Sequence, residues 1–262
     1  MMPKPRLITI GVSHYCEKAR WALDRAHVEY VEQAHAPILH YGATLLLYRQ
    51  RTTPLLVTPH GTIRDSTDIL RHADRFVPEH ERLFPAEEPA SREVVELEEL
   101  FDRKLGPATR RLAYFHIIDD PVLMRRLADE TRISPVESAL FRWGRAPLTA
   151  FLRRGLGIHA EGARRSEERV HEVFDLVEAR LAKGGKYLVG DRFTAADLTF
   201  AALAAPILAP PEYGWPLPRV EEGPPGLRRL IDRHCSRPAG TFALRLYREE
   251  RRRSAIPMGG AA

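Results

Sequence analysis

Two residues near the N-terminus have the types and placement for thiol chemistry. Ser13 and Cys16 sit at the junction between Arg6-Leu7-Ile8-Thr9-Ile10, an apolar β-branched run bounded by Pro5 and Gly11, and a stretch in which Ala19, Ala22, Leu23 and Ala26 recur at helical spacing. The pattern predicts a buried strand, a turn and a helix whose other, polar face carries Glu17, Arg20, Asp24 and Arg25. Ser13 is then the N-cap, its side-chain oxygen accepting from amides of the first turn. Unpaired N–H groups and the helix dipole stabilise an anion just outside such a terminus. A thiolate delivered there has a lowered pKa and is a ready nucleophile near neutral pH. Taken alone, the same serine is an ordinary cap.

The elements around this junction set the bounds. The 262 residues suffice for one large domain or two modest ones, and 44% hydrophobic with 29% charged residues is ordinary for a soluble globular chain. No apolar run approaches the roughly 20 residues that span a bilayer, and Met1-Met2-Pro3-Lys4-Pro5 lacks a signal-peptide core, so a cytoplasmic protein without a membrane partner is expected. Cys16 and Cys235 form neither a disulfide framework nor a metal-ligand cluster, and no metal is expected. The net charge of +5 is carried mainly by arginine. Its densest run, Arg245, Arg248, Arg251, Arg252 and Arg253 with Glu249 and Glu250 interleaved, reads as a solvated helix fraying into a basic tail. No nucleic-acid partner is expected.

Val28 to Glu32 alternates as a half-buried strand, a looser stretch from Gln33 to Tyr41 holds Pro37 and His40, and Leu45 to Tyr48 suggests a short helix ahead of Arg49 and Arg51. Thr52 to Arg64 reads as a β-hairpin turning at Pro59-His60-Gly61, with Pro54 confined to a strand end. Ser66 is the expected N-cap of the next helix. Prolines among charges from Phe76 to Ala90 predict a linker, and everything beyond reads as helical, with helices over 93–105, 121–131, 147–156, 167–182 and 195–208. The proline-rich stretch from Pro206 to Pro218 interrupts them.

Strand, helix, strand, helix, strand, strand, helix is the thioredoxin-like order. Ser13-His14-Tyr15-Cys16 resembles the Cys-Pro-Tyr-Cys site of glutaredoxins with serine in the first position. With Thr53-Pro54 before the third strand and Asp65-Ser66 at the third helix, it resembles the N-terminal domain of the glutathione transferase superfamily. Lys186 to Phe200 independently resembles that family's helical domain. There Thr194 and Asp197 have capping-box spacing and Phe193 and Leu198 stand at staple positions, a structural role.

The resemblance implies an α/β thioredoxin-like domain (residues 1–79), a linker (80–91), an all-helical bundle domain (92–250) and a basic tail (251–262). It implies a cis proline at Pro54, a Thr53 backbone that binds glutathione, and Asp65 and Ser66 holding the γ-glutamyl group. For the glycine carboxylate His40, Arg49 and Arg51 all qualify. Ser13 would activate the bound thiol for attack on a small apolar electrophile in a chamber to which Tyr114, His116, Tyr213 and Trp215 could contribute. A homodimer is implied as well. Two alternatives stay open: a glutathione-dependent thiol-disulfide reductase or peroxidase using Cys16, and a non-catalytic interaction protein of the same fold.

Overall fold

The structure is a computed structural model that describes residues 4–129 and 133–251; the tail beyond residue 251 lies outside them. Strand β1 (Arg6–Ile10) is central. Its Leu7 and Ile8 are buried, and it pairs in parallel with β2 (Val31–His35), Arg6 facing Val31. On its other side it runs antiparallel to β3 (Leu55–Thr58), which forms a hairpin with β4 (Gly61–Ile63), giving the order β2-β1-β3-β4. Helix α1 (His14–Arg25) follows β1, α2 (His40–Tyr48) precedes β3, and α3 (Ser66–Ala73) follows β4 and packs on α1. The second strand thus begins at Val31, not Val28. Val28 and Tyr30 still serve the core, but from the approach to the strand, and the parallel register with β1 decides where pairing starts.

The rest is helical, and its centre is α10 (Ala195–Ala204), in which every residue is buried. The capping box forms: Asp197 accepts from the Thr194 amide and hydroxyl, each at 2.9 Å, and from the Leu188 amide at 2.8 Å. The Ala195 amide donates to the Leu83 carbonyl, fastening the cap to the stretch between the domains. Around this helix pack α4 (Ala90–Leu100), α5 (Gly106–Ile117), α9 (Ala160–Leu181) and α12 (Pro238–Leu246). Phe101, Phe174 and Phe200 fill the space between them.

Helices α6 (Pro121–Asp129), α7 (Pro135–Trp143) and α8 (Arg145–Leu156) form an outer lobe. Helix α7 was not foreseen, although Ser134-Pro135 is a start signal: the Ser134 hydroxyl accepts from the Glu137 amide at 3.2 Å. Glu137 ties the lobe to the end of β2 through His35 Nδ1 at 2.6 Å and the Ala36 amide at 3.0 Å. Helix α11 (Pro225–Cys235) follows the proline-rich stretch, which is irregular from Leu208 onwards as its prolines require. Among the described residues no helix is long and apolar enough to cross a membrane.

The polar face of α1 is covered: Glu17 and Arg20 are fully buried. Arg251 is a correction, since the sequence places it at the start of a solvated tail and the structure buries it. Arg20 bonds Glu17 at 3.2 Å, Glu32 at 2.9 Å and the Gly11 carbonyl at 2.6 Å. Arg251 bonds Glu17 at 2.9 Å and Asp24 at 2.6 Å. Each charge is paired and hydrogen-bonded, the condition under which burial of a charge is tolerated. The proline-rich stretch and the turn over residues 247–251 together cover this face. The Gly214 amide donates to Glu17 at 3.0 Å, and Trp215 lies on the Arg20 guanidinium, 5.2 Å from the ring centroid.

Candidate active site

The geometry begins with a defect in the helix that faces α1. Between α4 and α5 the chain makes a π-turn, Phe101–Leu105, in which the Gly106 amide reaches back five residues to the Phe101 carbonyl. In that register the next donor would serve the Asp102 carbonyl, but it is Pro107 and has no N–H. The freed carbonyl accepts from the Tyr15 hydroxyl at 2.7 Å, while the Gly106 carbonyl bonds His14 Nε2 at 2.9 Å. Gly106 makes room for this contact, since a Cβ there would lie 2.3 Å from the Tyr15 oxygen and would displace the ring.

One turn further along α1, buried Lys18 donates to Glu98, to both Asp102 oxygens at 2.9 Å and to Thr67 at 3.2 Å. The residues flanking Ser13 are therefore bolted to the helical domain from one side. On the other, Tyr213 donates to the Val12 carbonyl at 3.2 Å, and Trp215 packs where a side chain on Gly11 would stand.

Ser13 occupies the N-cap position with extended φ and ψ, and its carbonyl accepts from the Glu17 amide at 2.9 Å. Its hydroxyl does not cap the helix, contrary to the sequence expectation. Instead the half-buried residue lines a cavity of about 460 Å³ between the two domains. Thr53, His40 and Arg51 share that wall from the first domain, and the Thr53–Pro54 peptide is cis. Tyr114 lines it from α5 and Tyr213 from the proline-rich stretch. Burial holds both phenols above their usual range, so they are neutral donors.

Other expected residues fall elsewhere. Trp215 is buried against Gly11 and Arg20, and His116 packs on Gly226; neither reaches the cavity. Asp65, not Ser66, caps α3, accepting from the Thr67 amide at 2.8 Å, because the extended backbone is at Asp65 and Ser66 is already helical. Asp65 is exposed, Ser66 and Pro54 are buried, and all three lie beyond the cavity wall. Arg49 ends α2 in the left-handed conformation and is likewise off the wall.

Cys16 has no exposed surface and does not line the cavity. Burial pushes its thiol up, against the opposing charge of Arg20. A reactive cysteine needs access and a lowered pKa, and Cys16 has neither. His14 lines the cavity but is almost wholly buried: burial first, then the Arg110 charge, lowers its pKa to about 3, so the ring is neutral. Arg110 itself, on the cavity wall, was missed by sequence reading. Its only sequence signal is a place on the same helix face as Tyr114 and Ile117.

A family model described as the glutathione S-transferase N-terminal domain matches residues 7–81, and one described as the glutathione S-transferase C-terminal domain matches residues 160–233. This chain belongs to the glutathione S-transferase superfamily. Solved structures agree at the level of fold. A possible glutathione S-transferase from Rhodopseudomonas palustris is 18% identical at a TM-score of 0.60, with 99% of this chain and 100% of that one covered. A β-etherase from a Sphingobium strain is 19% identical at 0.59, with 93% and 99% covered. A glutathione S-transferase from Methylobacillus flagellatus with glutathione bound is 16% identical at 0.51, with 92% and 98% covered. No curated protein matches the sequence. In glutathione transferase terms, the sheet and α1–α3 form the N-terminal domain of this chain, α4 onwards forms its helical domain, and the cavity runs between them.

Proposed function

We propose that this chain binds glutathione and activates its thiol for attack on an electrophile seated against the helical domain. The observation that carries the reading is Ser13. It stands at the N-terminus of a helix anchored on both flanks, its hydroxyl making no backbone cap and lying beside the Cys16 thiol, and it opens onto a cavity whose far walls are apolar. Thr53, Pro54, Asp65 and Ser66 would hold the peptide backbone and γ-glutamyl end, with Arg51 or His40 for the glycine carboxylate. Buried His40 supports this, since its Nδ1 has no partner while Nε2 faces the Arg51 carbonyl at 3.4 Å. A tripeptide with two carboxylates also suits the end of the wall that carries His40 and Arg51, where no Asp or Glu among the described residues competes.

The Ser13 hydroxyl would donate to the glutathione sulfur, and the helix terminus would favour the thiolate. The sulfur–carbon bond then forms while the proton passes to solvent and the leaving group departs with its electron pair. The protein supplies position and anion stabilisation, and the peptide supplies the nucleophile. The burial of Cys16 counts against the reductase alternative. A homodimer belongs to the same reading and is tested by sedimentation. The direct test is calorimetry with glutathione on the intact protein and on Ser66→Ala. Saturable binding weakened by the substitution is expected, and absence of binding at millimolar glutathione overturns the reading.

A further inference from the structure

The cavity wall carries three arginines, Arg51, Arg110 and Arg219, and no carboxylate among the described residues. Arg51 and Arg219 are exposed, and Arg219 has Glu222 beside it. Arg110 differs. It is half-buried, its Nε is sealed from solvent without a hydrogen-bond partner, and no Asp or Glu among the described residues pairs with it. A guanidinium nitrogen sealed from water without an acceptor carries a cost that a bound anion would relieve. The nearby groups that feel its charge are neutral or basic: His14, Tyr15, Tyr114 and Arg111. None of them can serve as the missing anion.

The position of Arg110 along α5 gives the site a direction. Arg110, Tyr114 and Ile117 lie on one face of the helix, and at 1.5 Å per residue the row extends about 10 Å. At the Arg110 end are Ser13, His14 and Tyr15. At the other are Ile117, Leu123, Phe151 and Leu152, from α5, α6 and α8. A molecule filling this chamber meets a half-buried cation near His14 and Tyr15 and hydrocarbon beyond it.

We propose that the second substrate is an amphipathic carboxylate: its carboxylate pairs with Arg110, its apolar body runs along α5 toward α6 and α8, and its electrophilic carbon lies near the charged end. This rests on the glutathione reading for the reaction, though the anion site can be tested without it. A planar fork of donors suits a carboxylate, and partial burial of the guanidinium strengthens the pair. An aromatic or aliphatic body of moderate length fits the apolar end, and a neutral electrophile of the same shape leaves Arg110 unpaired.

The test is calorimetric titration of the full chain with hydrocinnamate and with phenylpropanol, which share a body and differ in charge, alongside a separate glutathione titration. Hydrocinnamate should bind at least about tenfold tighter than the alcohol, the scale of one charge-assisted pair. Arg110→Gln should abolish that preference while leaving the alcohol and glutathione affinities within about twofold, and Arg110→Lys should keep part of it. Equal binding of the two probes by the unmodified protein overturns the proposal without reliance on any variant. So does a preference that survives Arg110→Gln, or a glutathione affinity that falls together with that of hydrocinnamate, which would assign Arg110 to the peptide. If glutathione does not bind but the preference tracks Arg110, the anion site stands and the transferase reading falls.

Discussion

The Tyr15 hydroxyl donates to the Asp102 carbonyl at 2.7 Å, across the boundary between the two domains. That carbonyl is free because the π-turn aims it at Pro107, which has no hydrogen to give. A proline in the helical domain thus fixes the turn that presents Ser13. The contact requires Gly106, so Gly106→Ala should push Tyr15 aside and lower stability by about 1–3 kcal/mol in urea unfolding. Tyr15→Phe should not rescue it, because the ring carbon bearing the hydroxyl would still stand 2.7 Å from the new methyl. A Gly106→Ala protein as stable as the parent would contradict the contact.

Lys18 should act as the second bolt. Its ammonium is buried with Glu98, Asp102 and Thr67, so Lys18→Met removes the cation and strands two carboxylates. Loss of one partner from a buried pair costs roughly 3–5 kcal/mol. Denaturant unfolding measures it, and a midpoint unchanged by the substitution would show that the cluster is hydrated.

Ser13 and Cys16 should separate cleanly in kinetics. Ser13→Ala is expected to lower turnover with a chloroaromatic electrophile by on the order of a hundredfold, the scale for removing one donor to a reacting anion. It should also erase the ultraviolet difference signal of the bound thiolate, with glutathione affinity little changed. Cys16→Ala should leave both intact. The reverse pattern would restore Cys16 as the nucleophile.

Acid should weaken the fold through His14. Its folded pKa, about 3, lies below the ordinary value of 6.5, so the unfolded chain binds more protons between these values and stability falls as pH falls. By pH 5 the loss from this one group is about 2 kcal/mol. Burial lowers His40, His72, His116 and His234 as well, and they add in the same direction. Unfolding free energies of the parent and His14→Gln at pH 7 and pH 5 check this: the variant should lose about 2 kcal/mol less on acidification. Parallel losses would place the His14 ring in water.

Much was legible from local pattern. The hairpin around Pro59-His60-Gly61 was readable because turn residues and strand alternation act within a few neighbours. The helix at Thr194 was readable because Thr194 and Asp197 close a hydrogen-bonded loop within four residues. Ser13 fell at its strand-to-helix turn for the same reason. The burial of α1's polar face was not legible, since side-chain spacing reports polarity and not what will cover it. Arg251 lies 234 residues from Glu17, and no local rule joins them.

The sequence by itself determined the element order of the first domain, the Ser13 turn and the capping box, because each depends on contacts between near neighbours in the chain. Only the tertiary structure decided that Cys16 is sealed, that Trp215 packs on Gly11 away from the cavity, and that Arg110 stands near His14 and Tyr15 with its Nε unpartnered. Burial and pairing of a side chain are properties of everything packed against it. At this site the packing comes from α5, the proline-rich stretch and the final turn, each far away in sequence.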